Sequence, residues 1–423
     1  MLSIQTIRDH PDLVADTMAR RHTETPLQEI IALDEQRREV LQESEALKAR
    51  RNEVSRELGR SKDKNSAEFT QLRADMRQAG DHIDTLDKEL AGVETRLNEL
   101  LLQLPNLVHE SVPEGAGEED NVRLPHEGTL RSFAFEPQPH WDLGERLGII
   151  DFQRGVKLSG SRFYVLKGLG ARLQRALIAW MLDFHISRGY VEIYPPALVK
   201  GEIMQGAGQL PKFFDNLYRD AEEDLFLIPT AEVPMTNLYR DEILPPEALP
   251  IYHVSCTPCF RREKVSAGRD VRGIKRVHQF EKVEMYKFVA PETSYDELER
   301  MLDDAETLCR QLDIPHRVLR LCTGDLGFSA AKTYDIELWA PGSKEWLEVS
   351  SVSNCTDFQA RRANVRFRPE PNARPHFPHT LNGSGLALPR TMIAVLENYQ
   401  QADGSVTLPD VLRSYFGGAT EIR

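Results

Sequence analysis

From Phe69 the apolar residues fall at Phe69, Leu72, Met76, Ala79, Ile83, Leu86, Leu90, Val93, Leu97, Leu100 and Leu104. The steps alternate between three and four, which is the seam of a coiled coil. Pro105 follows the last seam residue and stops the helix. An earlier stretch is a weaker match: Leu33, Val40, Leu47 and Val54 keep a seven-residue spacing, and Leu58 extends the apolar side. Pro26 suits the start of that helix. Gly59 to Ser66, GRSKDKNS, offers residues that turn a chain. Two helices with matching seams and a short polar link predict an antiparallel hairpin over about residues 27–104. At 1.5 Å per residue the second helix is expected to run about 55–60 Å.

The grammar changes after Pro105. LPNLVHESVPEGAGEEDN is rich in Pro, Gly and acid and reads as a linker into a second domain. The chain is therefore divided into an N-terminal domain, residues 1–110, and a larger one, residues 111–423. In the latter, LPIYHVSCTPCF, VHQFEKVEMYKFV, YDIELWA and EWLEVSSVSNC have the alternation and β-branched content of strands. GARLQRALIAWMLDFHISRG and SYDELERMLDDAETLCRQLD read as amphipathic helices. Runs of strands with helices set apart predict an α+β fold with a mainly antiparallel sheet.

Composition adds exclusions. With 423 residues, 40% apolar and 28% charged, the chain fits two or three globular domains. No run approaches the roughly 20 apolar residues of a membrane helix, and MLSIQTIRDHPDL has no signal-peptide pattern. Five cysteines, an odd number, fit reduced thiols in a cytoplasmic protein. The net charge of −13 argues against nucleic-acid binding when taken as an average. Near the hairpin turn, however, Lys48, Arg50, Arg51, Arg56, Arg60, Lys62 and Lys64 face only Glu53, Glu57 and Asp63. Such a tip is either a solvated helical face or a surface that touches RNA backbone.

Neither a P-loop nor a strand-linked G-x-G-x-x-G occurs, so a nucleotide here would be held by side chains. The stretch Cys259 to Phe288 suits that task. Arg261 and Arg262 end one strand, Arg269, Arg272, Lys275 and Arg276 lie in a Gly-containing loop, and Glu281 and Glu284 lie on the return. Guanidinium forks match phosphate oxygens, and Phe280 offers a face to a base. The bland alternative is a basic surface hairpin. In EWLEVSSVSNC, Glu345 and Glu348 precede Ser350 and Ser351, an oxygen set that could hold Mg²⁺ or simply line a surface strand. In NGSGLALPRTM, Gly383 and Gly385 allow close backbone approach, and Arg390 starts a helix, as at many loop-to-helix junctions.

Taken together, IPTAEVPMTNL, CFRRE, RVHQFEKVEM, EVSSVSNCTDFQARR and HTLNGSGLALPRTM resemble motifs 2 and 3 of class II aminoacyl-tRNA synthetases and the strands between them. TAEVP with HTLNGSGLA resembles the bacterial-type seryl-tRNA synthetase family in particular, and the likeness covers nearly the whole chain. The family also carries an N-terminal helical hairpin. The resemblance implies a class II catalytic domain, with ATP and Mg²⁺ as cofactors, L-serine as substrate, and the tRNAs for serine and selenocysteine as acceptors.

It further implies roles by position. Arg261 would hold the α-phosphate, Glu263 would read adenine or the tRNA end, and Phe280 would stack on adenine beside Val277. Arg276 and Arg390 would hold the β and γ phosphates, and Arg262, Val349 and Ser350 complete the implied ATP site. Glu348 and Ser351 would ligate Mg²⁺; Thr230, Ala231, Glu232, Glu284 and Ser384 would surround serine. Arg50, Arg51, Arg56, Arg60, Lys62 and Lys64 would meet tRNA. RGYVEIYPP, Arg188 to Pro196, resembles motif 1, which lies at a homodimer interface in the family. The chain departs from the family's usual Ser at Arg262 and Ala-Gly at Lys264 and Val265.

Other signals read as structural. Cys256 and Cys259 form a C-x-x-C on a strand, His376 and His379 lack a third metal ligand nearby in sequence, and Trp180 and Phe184 at helical spacing read as core. Two other functions compete: a ligase passing an activated amino acid to a carrier, and a non-catalytic coiled-coil protein with a dead synthetase domain. Relatives of the first sort lack the hairpin. The second is disfavoured by the presence of Arg261, Glu348 and Arg390.

Overall fold

The computed structural model describes residues 1–60, 66–264 and 272–423. Lys62, Lys64, Val265 and Arg269 lie outside the described residues. The chain divides into two compact units, one comprising Leu2–Ala19 and Thr23–Leu104, the other Met1, Arg20–His22 and Pro105–Arg423. Among the described residues no helix is long and apolar enough to cross a membrane.

The first unit begins with α1 (Ile4–Asp9) and α2 (Pro11–Arg20), followed by the hairpin helices α3 (Leu27–Arg60) and α4 (Ala67–Leu101). These last have 34 and 35 residues, each about 50 Å long. Ser66 caps α4 by accepting from Phe69 N at 3.1 Å. The α4 seam is inward as its spacing demands: Ile83, Leu86, Val93, Leu97 and Leu100 are buried while the residues between them are largely exposed. The α3 seam is weaker in sequence because polar residues share it. Arg37, Ser44 and Arg51 are turned inward between Val40, Leu47 and Val54. Ser44 and Lys48 both donate to Asp87 of α4, at 2.9 and 2.8 Å. At the base, buried Asp34 accepts from Arg8 and Arg37. Burial alone would raise its pKa, but those guanidinium groups hold it below the usual carboxylate value.

The second unit is built on one eight-stranded sheet. Its strands are β1 (Val122–Arg123), β2 (Val191–Glu192), β3 (Ile251–Phe260), β4 (Gln279–Val289), β5 (His316–Arg320), β6 (Lys332–Ala340), β7 (Glu345–Asn354) and β8 (His379–Ala387). They lie in the order β1-β5-β6-β7-β8-β4-β3-β2. Every pairing is antiparallel except that of β2 with β3. Helices α5 (Leu169–Ser187), α7 (Ser294–Gln311) and α8 (Leu388–Tyr399) pack on this sheet, and a short α6 (Glu232–Thr236) lies near its centre. Trp180 is buried and Phe184 packs half-buried against the same core. The α+β, mainly antiparallel expectation holds.

One segment differs from its reading. NGSGLALPRTM, which reads as a loop leading into a helix, does enter the helix α8, but its first part belongs to β8, a central strand between β7 and β4. Its two glycines and polar residues hide the alternation by which a strand is recognised. The neighbours supply the reason for them: a Cβ on Gly385 would lie 2.3 Å from His185 Nε2 of α5. That ring nitrogen donates to Gly385 O at 3.1 Å, and burial lowers the imidazole pKa to about 4, so the ring is neutral.

Candidate active site

Strands β3, β4, β8 and β7 are consecutive in the sheet, and a cavity of about 640 Å³ opens over them. Alternation on β4 sends Phe280, Lys282 and Glu284 to the cavity. β7 contributes Glu348, Ser351 and Ser353; β8 contributes Asn382 and Ser384. Arg261 follows the last residue of β3, Thr230 and Glu232 enter with α6, and Arg390 lies in the first turn of α8.

One end of the cavity is cationic. Arg390 Nε donates to Lys275 O at 3.3 Å, and its Nη1 donates to Glu348 O at 2.7 Å and lies 3.2 Å from Glu348 Oε2. Arg276 Nη1 lies 3.4 Å from Glu263 Oε2, and Lys275 Nζ 2.5 Å from Glu345 Oε2. Arg261 Nε donates to Pro229 O at 3.2 Å, and its guanidinium lies 5.3 Å from the Phe280 ring centroid. Carboxylates offset part of this positive charge, and the guanidinium forks gathered here suit an anion with several oxygens. Phe280 and Val277 add an apolar and aromatic face beside them.

The other end is lined by carboxylates. Glu284 accepts from Thr230 Oγ1 at 3.2 Å and pairs with Lys282 Nζ. Glu232 accepts from Gln359 Nε2 at 2.6 Å and Asn382 Nδ2 at 3.2 Å. Burial, reinforced by the nearby Glu284 carboxylate, pushes the Glu232 pKa up to about 7; Lys282 and Gln359 pull the other way. Such a pocket can hold an ammonium and hydrogen-bond a hydroxyl at the same time.

Of the residues expected at the site, Thr230, Glu232, Arg261, Glu263, Arg276, Val277, Phe280, Glu284, Glu348, Val349, Ser351, Ser384 and Arg390 line this one cavity. Three lie outside its lining. Ala231 is fully buried in a neighbouring apolar cluster. Arg262 turns to the Tyr218 ring, 5.7 Å from its centroid. Ser350 faces away and donates to Ser384 O at 2.5 Å. Its displacement has a backbone cause: the pairing of β6 and β7 shifts register between Ile336 and Glu337, so Glu348 and Ser351 share a face and Ser350 does not. The structure adds Lys282, Asn382 and Gln359, which sequence reasoning does not single out. Alternation with Phe280 and Glu284 is a signal that could have found Lys282. Gln359 has no sequence signal, since it reaches Glu232 from a separate helix, Phe358–Arg362.

Of the basic tip, Arg50, Arg56 and Arg60 are exposed and Arg51 is half-buried on the α3 seam. A cluster of Glu127, Glu306 and His316 lies on the far side of the sheet order. Arg310 sits on both carboxylates, 2.9 Å from Glu127 Oε2 and 3.5 Å from Glu306 Oε2, which marks an ion-pair network.

Family models match both units. Residues 214–399 fit the tRNA synthetase class II core domain (G, H, P, S and T), and residues 1–108 fit the seryl-tRNA synthetase N-terminal domain. A serine–tRNA ligase from Roseiflexus sp. (strain RS-1) is 62% identical over 424 residues, covering 100% of both chains. Another from Thermomicrobium roseum is 61% identical, covering 100% of this chain and 95% of its own. Seryl-tRNA synthetase from Pyrococcus horikoshii, solved with ATP, superposes with a TM-score of 0.94 at 40% identity, covering 100% of this chain and 99% of that one. With identity above 60% over the whole length and both family models matched, the chain belongs to the seryl-tRNA synthetase family, class II enzymes that join L-serine to tRNA.

Proposed function

We propose that the cavity binds ATP and L-serine, forms seryl-adenylate, and passes the seryl group to tRNA. The carrying observation is that one cavity gathers arginines and an aromatic ring in one group and the Glu232 and Glu284 carboxylates in another. The complexes of the Pyrococcus horikoshii enzyme with ATP and the Naegleria fowleri enzyme with AMP support the nucleotide assignment. Arg261 holds the α-phosphate, Arg276 and Arg390 the outer phosphates, and Phe280 stacks on adenine with Val277 and Val349 beside it. Glu263 meets adenine or the incoming tRNA end. Glu232 and Glu284, with Thr230 and Ser384, take the ammonium and hydroxyl of serine. Alanine is rejected because it would leave those buried groups unpaired.

The serine carboxylate oxygen attacks the α-phosphorus in line, a new P–O bond forms, and the bond to pyrophosphate breaks. The terminal ribose 3′-hydroxyl of tRNA then attacks the seryl carbonyl, and AMP leaves. No covalent link to the protein is needed, so the arginines act by position and charge.

Mg²⁺ fits the oxygen donors Glu348 and Ser351. Across the sheet from Ser351, Asp335 Oδ1 is buried with no hydrogen-bond partner, and burial, with Glu348 close by, raises that carboxyl's pKa well above the ordinary value. A cation would relieve both. When bound, Mg²⁺ neutralises phosphate charge.

The labour is divided between an N-terminal domain, residues 1–110, that binds tRNA through Arg50, Arg51, Arg56, Arg60, Lys62 and Lys64, and a catalytic domain, residues 111–423. The selenocysteine tRNA is an acceptor as well, by family likeness. A homodimer through motif 1 is supported by exposed apolar residues in and around it, Tyr194 at 91% and Val191 at 59% exposure. The enzyme works in the cytoplasm, as the reduced cysteines suggest. Serine-dependent ATP–pyrophosphate exchange across a panel of amino acids, without tRNA, tests the central assignment. Exchange with serine alone is expected, and none with any amino acid would leave only a scaffold.

A further inference from the structure

Behind the phosphate end of the cavity lies a buried polar group that the assigned chemistry does not use. His140 begins the helix His140–Arg146 and is 1% exposed; Glu397 of α8 is 0% exposed. His140 Nδ1 lies 2.9 Å from Glu397 Oε1, and the same oxygen accepts from His140 N at 2.9 Å. Ser343, in the turn between β6 and β7, donates to Glu397 through its backbone N at 2.8 Å and its hydroxyl at 2.7 Å. The second ring nitrogen, Nε2, accepts from Ile274 N at 3.1 Å. Each contact fixes the others: Nδ1–H donates to the carboxylate, so Nε2 carries a lone pair for Ile274. The fit is close, since a Cβ on Gly273 would lie 2.1 Å from Nε2, and Gly273 has φ +77°.

Ile274 precedes Lys275 and Arg276, both in the cavity wall, and Lys275 O is the acceptor for Arg390 Nε. One short backbone segment thus orients three cations, and its only side-chain anchor at Ile274 N among the described residues is His140. We propose that His140 is a positioning residue for the nucleotide phosphates, acting through Ile274 and held in its tautomer by Glu397. It touches no substrate. The proposal rests on the reading of this end as the ATP phosphate site. A dry, fully satisfied network is the kind of support that keeps catalytic groups within the tolerance that phosphoryl chemistry needs.

Two variants separate the two ring nitrogens. His140→Asn keeps an amide donor near the Nδ1 position, for Glu397, and loses the acceptor for Ile274. His140→Gln puts a carbonyl oxygen near the Nε2 position and restores it. ATP–pyrophosphate exchange on the full-length enzyme, with thermal melting alongside, gives KM for ATP and for serine separately. Loss of one buried acceptor predicts kcat/KM for ATP lower by roughly tenfold to hundredfold in His140→Asn. The KM for serine should stay within about twofold, and His140→Gln should recover most of the loss. Ser343→Ala, which loosens Glu397 without stranding a charge, should raise the KM for ATP a few-fold and keeps the idea testable if His140→Asn does not fold. Equal losses for ATP and serine, no recovery in His140→Gln, or an unchanged KM for ATP in Ser343→Ala would overturn it. A wild-type enzyme without serine-dependent exchange would instead overturn the site assignment itself.

Discussion

Glu232 and Arg390 show how single residues report on the site. The Glu232 carboxyl, ordinarily near 4.5, titrates at about 7 because it is buried beside Glu284. Its folded-state pKa is above its unfolded one, so its contribution favours folding at acid pH and is lost as pH rises from about 4.5 through 7. The ligand-free protein should therefore lose some thermal stability between about pH 4.5 and 7, and Glu232→Gln should flatten that slope when melting curves are compared. The same titration should show in activity: the KM for serine falls as pH rises through about 7 in the wild type, and this pH dependence disappears in Glu232→Gln. Arg390→Ala removes a cation tied to Glu348 and Lys275 O. Exchange kinetics should show a loss of at least about a hundredfold in kcat, as for other preorganised charge-stabilising donors. A loss confined to KM would mean that Arg390 binds substrate and transition state equally.

At the scale of elements, the hairpin and the sheet are separable by experiment. Removing Leu33 to Leu97 should leave serine-dependent exchange within about threefold and lower aminoacylation by at least about a hundredfold, because phosphate contacts supply much of RNA affinity. Aminoacylation that survived the deletion would end the tRNA role of the arm. The finer version replaces Arg50, Arg56 and Arg60, all exposed, with alanine. The KM for tRNA should rise, and its salt dependence should shallow by roughly 0.7–0.9 logarithmic units for each phosphate no longer neutralised. The hairpin was legible because its seam repeats over many turns, so no single residue decides it. The glycine-bearing strand β8 was not, because a strand with two glycines and four polar residues shows no period. Its place is set by β7 on one side and β4 on the other.

For the whole molecule the open quantity is assembly. Tyr194 is almost fully exposed in the segment that resembles motif 1. Tyr194→Glu should shift sedimentation from dimer toward monomer at micromolar concentration, since a buried unpaired carboxylate is costly at an apolar interface. If the wild type sediments as a monomer, that surface has another use. The departure at Arg262 also belongs at this scale. Its side chain turns to Tyr218 and is not part of the cavity wall.

The amino-acid sequence by itself determined the hairpin, the strand-rich α+β body, and the charged residues that gather in the cavity. The hairpin and the body rest on local periodicity, and the arginines on a residue type whose chemistry is narrow; the remaining site residues were legible only through resemblance to a known family. Tertiary structure alone decided which face of β7 meets the cavity, because a one-residue bulge between paired strands leaves no mark in composition. It alone brought Gln359 to Glu232 across 127 positions and His140 to Ile274 across 134. Contacts between distant segments depend on how the sheet and helices close, and burial then sets the pKa of Glu232.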